Sequence, residues 1–245
     1  ALGALPAAAL APAGAPLAAP VALAASGLTM TADARYVVDP AKKRVRVAVA
    51  LAATNNRTDT KTRRFYYDRA FLAVQPGTTA FRIASSGVRP AVRVQRRTST
   101  YTLLRIDFGT QLAAGATRRF SLTFDIADPG GAPTRTTRIG TSLVAFGAWG
   151  FGTAGTPGGS VSVTFPSGYS IEVEAAGLGK PTTDSAGNVV YRTGRLADAL
   201  SFFAYFVADR PGDYRETTIQ VPLGGRQVPI TVRAWPADPA WAKRV

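Results

Sequence analysis

Apolar and polar residues alternate through most of this chain with a period of two. In RVRVAVALAA, Val45, Val47 and Val49 fall on one side of an extended backbone, and Arg44 and Arg46 on the other. The same rhythm returns in YYDRAFLAV, TAFRIA, AVRVQ, TYTLLRIDF, TRRFSLTFDI, IGTSLVAF, SVSVTF, SIEVEA, NVVYR, LSFFAYFV, YRETTIQV and QVPITVRAW. Turn formers separate these runs: Asn55-Asn56, Gln75-Pro76-Gly77, Asp128-Pro129-Gly130-Gly131, Pro157-Gly158-Gly159, Pro166-Ser167-Gly168, Ala186-Gly187-Asn188 and Leu223-Gly224-Gly225. No long helical window competes. The pattern predicts an all-β sandwich, mostly antiparallel, from about residue 28. LSFFAYFV is apolar on both sides and predicts a central strand covered on both faces. Two adjoining sandwiches are the alternative, with the glycine-rich stretch 147–159 as the boundary.

Composition then removes whole classes of chemistry. The chain has no Cys and no His. Disulfides, thiol nucleophiles, His-based zinc sites, Ser-His-Asp triads and Cys-His dyads are excluded from this segment. Carboxylate chemistry remains open, and no cofactor is expected. With 245 residues, 46% of them apolar, one large domain or two modest ones can build a core.

The net charge of +14 is lopsided. Residues 1–140 carry 20 Lys/Arg against 7 Asp/Glu, and residues 141–245 carry 9 against 8. A basic half can meet an acidic polymer, a membrane surface or nucleic acid. The arginines are spread over many strands, with no basic helix and no interleaved row of aromatics, which argues against nucleic acid. Arg44, Arg46, Arg63, Arg64, Arg96 and Arg97 are the candidates for polyanion binding. That reading requires them to gather on one face.

Residues 1–27 are nearly all Ala, Leu, Val, Pro and Gly, without charge. Pro6, Pro12, Pro16 and Pro20 would break a membrane-spanning helix. The stretch reads as the tail of a secretory signal, with Ala22-Leu23-Ala24 as a cleavage site, or as an Ala/Pro-rich linker. The signal reading implies an extracytoplasmic protein. At the other end, residues 236–245 read as the start of a helix leading to a following domain: Asp238 suits the N-cap, Pro239 the first turn and Trp241 the first apolar anchor.

Several motifs invite function. GFGTAG (Gly150 to Gly155) matches G-x-G-x-x-G, but a strand follows it where a dinucleotide site needs a helix. Glu172 and Glu174 alternate on one strand face, roughly 7 Å apart, a spacing open to acid/base work or to plain solvation. Phe146, Trp149 and Phe151 could rim a ligand cleft or anchor a crossing between sheets. Asp125 and Asp128 could offer two calcium oxygens, but an Asx-type turn explains Asp128 as well. Asn56-Arg57-Thr58 is an N-x-T acceptor sequence at a turn.

The order of segments carries a resemblance. YVVDPAKKRVRVAVALAATNN reads as a first strand pair. In YTLLRIDFGTQLAAGATRRFSLTFDI, Leu112 and Gly115 mark an L-x-x-G turn. SVSVTFPSGYSIEVEAAG turns at P-x-G-Y, and SFFAYFVADRPGDY and ITVRAWPADPAWAKRV close the series. Over about residues 28–245 this resembles the N-terminal β domain of the aminopeptidase N-like zinc metallopeptidases (gluzincins) and of related exported bacterial proteins. The resemblance implies a saddle-like sandwich ahead of a catalytic domain that carries His-Glu-x-x-His and a later Glu. With no His, this chain does not hold that motif, so no catalytic residue carries over.

The reading that follows is a non-catalytic β-sandwich over 28–235 that docks on a following domain of the same polypeptide and shapes its cleft. Trp235 and Trp241 are the expected docking residues. The alternative is a cell-surface module that binds an acidic polymer through the basic half.

Overall fold

The computed structural model describes residues 27–131 and 135–234. Sixteen strands run through them: β1 (Leu28–Asp39), β2 (Arg44–Asn55), β3 (Tyr66–Val74), β4 (Thr78–Ala84), β5 (Ala91–Arg97), β6 (Thr102–Ala113), β7 (Thr117–Ala127) and β8 (Arg138–Ile139), then β9 (Leu143–Trp149), β10 (Ser160–Phe165), β11 (Ser170–Glu174), β12 (Thr182–Thr183), β13 (Val189–Arg192), β14 (Phe203–Asp209), β15 (Arg215–Leu223) and β16 (Arg226–Ala234). They form a seven-stranded sheet in the order β12-β13-β10-β1-β2-β7-β4, a four-stranded sheet β11-β14-β9-β8, a three-stranded sheet β3-β6-β5 and a separate ribbon β15-β16. The fold is all-β and mostly antiparallel, as the alternation predicts. The parallel exception is β1 against β10, which pairs Asp33 with Ser160 and Val37 with Thr164.

The alternation dictates the layers. Along β2, Val45, Val47, Val49, Leu51 and Ala53 are buried, while Ala48, Ala50 and Ala52 face outward. β1 buries Leu28, Met30, Tyr36 and Val38 in the same way, and β7 buries Phe120, Leu122, Phe124 and Ile126. Because period two puts every second side chain on one face, the long strands offer one continuous apolar surface. Both smaller sheets cover that surface. Phe146 of β9 meets Phe165 of β10 with ring centroids 6.1 Å apart and stacks on Phe206 of β14 at 5.7 Å. Phe108 of β6 meets Phe120 of β7 at 5.2 Å. A single large sheet thus faces two small ones across one connected core.

β14 is central in its sheet, between β11 and β9. Its cover differs from the expectation. Ala204, Phe206 and Ala208 are buried, but on the other face Val207 is 37% exposed and Phe203 and Tyr205 are half-buried. Among the described residues no helix is long and apolar enough to cross a membrane.

Candidate functional site

Of the aromatic trio Phe146, Trp149 and Phe151, the two phenylalanines are buried in the core, while Trp149 borders a small hollow of about 30 Å³ that it lines with Gln75, Thr136, Phe203 and Tyr205. Exposures are 0%, 6% and 1%. Phe146 alternates inward on β9 and fills the space between sheets, and Phe151 stands edge-on to Phe124 at 6.2 Å. Phe146 and Phe151 anchor the crossing from β9 to β10. Their glycines serve the same packing. A Cβ on Gly150 would sit 2.1 Å from the Ala199 carbonyl oxygen, closer than any real contact. No helix begins after GFGTAG, and β10 follows. Close backbone approach, not phosphate binding, explains that glycine.

The six candidate arginines come from three places in the fold. Arg44 and Arg46 stand on the outer face of the large sheet, where both bond Asp125, at 2.8 and 3.0 Å. Arg63 and Arg64 lie in the loop between β2 and β3, and Arg64 pairs with Asp59 at 2.8 Å. Arg96 and Arg97 are on β5, an edge strand, and Arg97 donates to the Thr78 carbonyl at 3.0 Å. Half of the set, Arg44, Arg46 and Arg64, therefore already has carboxylate partners, with Arg44 and Arg46 sharing Asp125.

The acidic pairs separate as well. Asp125 serves Arg44 and Arg46. Asp128 accepts from Arg135 Nε at 2.8 Å and Nη2 at 3.0 Å, and from the backbone N–H groups of Gly130 and Ile139. Arg135 holds the Asp128 carboxyl well below the usual carboxylate range. A carboxylate so engaged closes its own loop. Glu172 and Glu174 are exposed on β11, an edge strand. Among the described residues no three metal-ligating side chains gather. A shallow hollow of about 240 Å³ on the outer face of the large sheet is lined by Asp33, Ala50, Arg119 and Arg195, but Arg195 is bonded to Asp33 at 3.0 Å. Trp235 and Trp241 lie outside the described residues.

What stands out instead is the ribbon. Among the described residues β15 and β16 pair only with each other, from Arg215 opposite Ala234 to Leu223 opposite Arg226. Gly224 and Gly225 close the turn at φ +56° and +79°. Two successive positive φ values define the hairpin turn that matches strand twist, and glycine adopts them without strain. Register sorts the side chains. Thr217, Ile219, Val221 and Leu223 share a face with Val228, Ile230 and Val232, while Thr218, Gln220 and Pro222 share the other with Gln227, Pro229 and Thr231. Among the described residues no other strand covers the apolar face: Leu223 is 69% exposed, Ile230 43% and Val228 37%, while Ile219, Val221 and Val232 are half-buried. The sequence reveals both strands and their turn. It does not reveal that no other described strand joins them, since alternation alone does not say what covers an apolar face. Pro222 and Pro229 inside the strands are the signal that could have revealed it.

No protein-family profile matches the chain, and no curated protein does. Solved structures do. One is a mutant M1 zinc metallopeptidase from Deinococcus radiodurans bound to a Tyr-Ser-Ala substrate, 18% identical, with a TM-score of 0.44 over 84% of this chain and 47% of that one. The same organism's M1 zinc metallopeptidase without the mutation gives 16% identity and a TM-score of 0.42, over 85% of this chain and 48% of that one. A two-domain M1 zinc metallopeptidase mutant bound to L-tryptophan gives 18% and 0.44, over 84% and 48%. The chain spans about half the length of these structures.

Proposed function

We propose that this chain is a non-catalytic β-sandwich domain that docks on a neighbouring domain of the same polypeptide and shapes one wall of its cleft. The observation that carries the reading is the apolar face of the ribbon β15–β16, which no other described strand covers and on which Leu223, Val228 and Ile230 are exposed. A two-stranded ribbon alone in water is marginal, and contiguous exposed apolar surface marks an interaction site. Covering Ile219, Val221, Leu223, Val228 and Ile230 offers on the order of 5–10 kcal/mol before the entropy of docking is subtracted. The reading also takes the polypeptide to be exported, from the Ala-rich segment ending near Ala24.

Limited proteolysis tests it. The ribbon turn should be cut readily in the 245-residue chain and spared in the complete polypeptide. Equal cutting in both would defeat the docking reading. The rival, capture of an acidic cell-surface polymer, has less to stand on, because Arg44, Arg46 and Arg64 already have carboxylate partners.

A further inference from the structure

The ribbon's prolines bear on how it meets its partner. A two-residue turn makes Leu223 and Arg226 a hydrogen-bonded pair. Antiparallel pairs then alternate, so Val221 with Val228 and Ile219 with Ile230 also exchange bonds. Pro222 with Gln227 and Gln220 with Pro229 fall on the alternate pairs, whose N–H groups point away from the ribbon. Each strand therefore carries one proline at an outward position. Each edge lacks a donor there and presents a ring to any incoming strand. Neither edge is suited to adding a strand, which leaves the faces.

Charge then selects the partner. Residues 215–234 hold Arg215, Arg226 and Arg233 against Glu216. Arg215 and Arg226 belong to the apolar face by register, one at each end of its row. Eight residues of strand separate those ends, roughly 26 Å. A second copy seated on this face would bring arginine against arginine, in a chain of net charge +14. We infer that the ribbon docks face-on onto a neighbouring domain, against an apolar strip bordered at both ends by carboxylates, with its two strand edges left free. This rests on the docking reading above and specifies its geometry and chemistry.

Residue-resolved hydrogen exchange on the complete polypeptide and on the 245-residue chain tests it. The inward amides of Ile219, Val221, Val228 and Ile230 should gain about tenfold protection or more in the complete polypeptide. The outward amides of Thr218, Gln220, Gln227 and Thr231 should change by less than about twofold. Arg226→Glu, an exposed substitution beside the turn, should remove most of the gain. If neither set of amides changes, the docking reading itself falls. If the outward amides are protected as strongly as the inward ones, or if Arg226→Glu leaves the gain intact, docking stands and the face-on, acid-bordered contact is overturned.

Discussion

Tyr36 and Trp149 bond to each other twice. The Tyr36 hydroxyl donates to the Trp149 carbonyl at 2.8 Å and accepts from the Trp149 N–H at 3.0 Å. One residue is on β1 of the seven-stranded sheet and the other ends β9 of the four-stranded sheet, so a single phenol oxygen joins two layers. Gln75 completes the network, with its Nε2 donating to the Tyr36 oxygen at 2.9 Å and to the Gly147 carbonyl at 3.2 Å. Burial pushes the Tyr36 pKa up, above the ordinary phenol range, so the hydroxyl keeps its proton.

Tyr36→Phe keeps the ring and removes the oxygen. The Trp149 N–H, its carbonyl and the Gln75 amide then lose a partner inside the core. Buried polar groups left unmatched cost more than the bond contributes, so the variant should lose about 2–4 kcal/mol in chemical denaturation, with the fold retained. A loss below about 0.5 kcal/mol would mean that the sheets do not depend on this contact.

Asn55 closes β2 and is fully buried. Its Nδ2 donates to the carbonyls of Leu112 and Phe65, at 3.0 and 3.2 Å, and its Oδ1 accepts from the Arg57 N–H at 3.0 Å. The side chain thereby ties the loop 56–65 to β6. Asn55→Ala should destabilise by about 2–3 kcal/mol and speed proteolysis within 56–65 before other segments. Asn56→Ala next door, with an exposed side chain bonded to Thr29, should cost much less.

Acid should loosen the segment 128–139 first. The folded pKa of Asp128 lies below that of an unfolded aspartate, because Arg135 and two backbone N–H groups favour its charged form. Its contribution is therefore present above the unfolded value, about 3.9, and is lost as pH falls further toward the folded value. Denaturation midpoints should decline below about pH 4, and Asp128→Asn should flatten part of that decline while lowering stability at neutral pH. A decline of unchanged steepness in the variant would place the acid sensitivity elsewhere.

The strands were legible because period two needs no knowledge of neighbours. YYDRAFLAV and SVSVTF coincide with β3 and β10. Partnership was less legible. Alternation assigns a face to Val161 but cannot say that β10 runs parallel to β1, since that pairing joins residues more than a hundred positions apart. Asn55 reads as a turn residue and is a buried hub, because the sequence hides the Leu112 carbonyl that receives it. Asp125 and Asp128 read as neighbours and serve different arginines, since strand β7 ends between them and turns their side chains apart. The ribbon's exposure was hidden for the same reason.

The most direct test of the docking account uses the absence of cysteine from this chain. Ile230→Cys places one thiol on the apolar face of the ribbon, and its labelling rate is followed in the 245-residue chain and, by peptide mapping, in the complete polypeptide. The account expects fast labelling in the isolated chain and a drop of about tenfold or more in the complete one. Equal rates would contradict it, because the apolar face would then remain open to water in the intact protein.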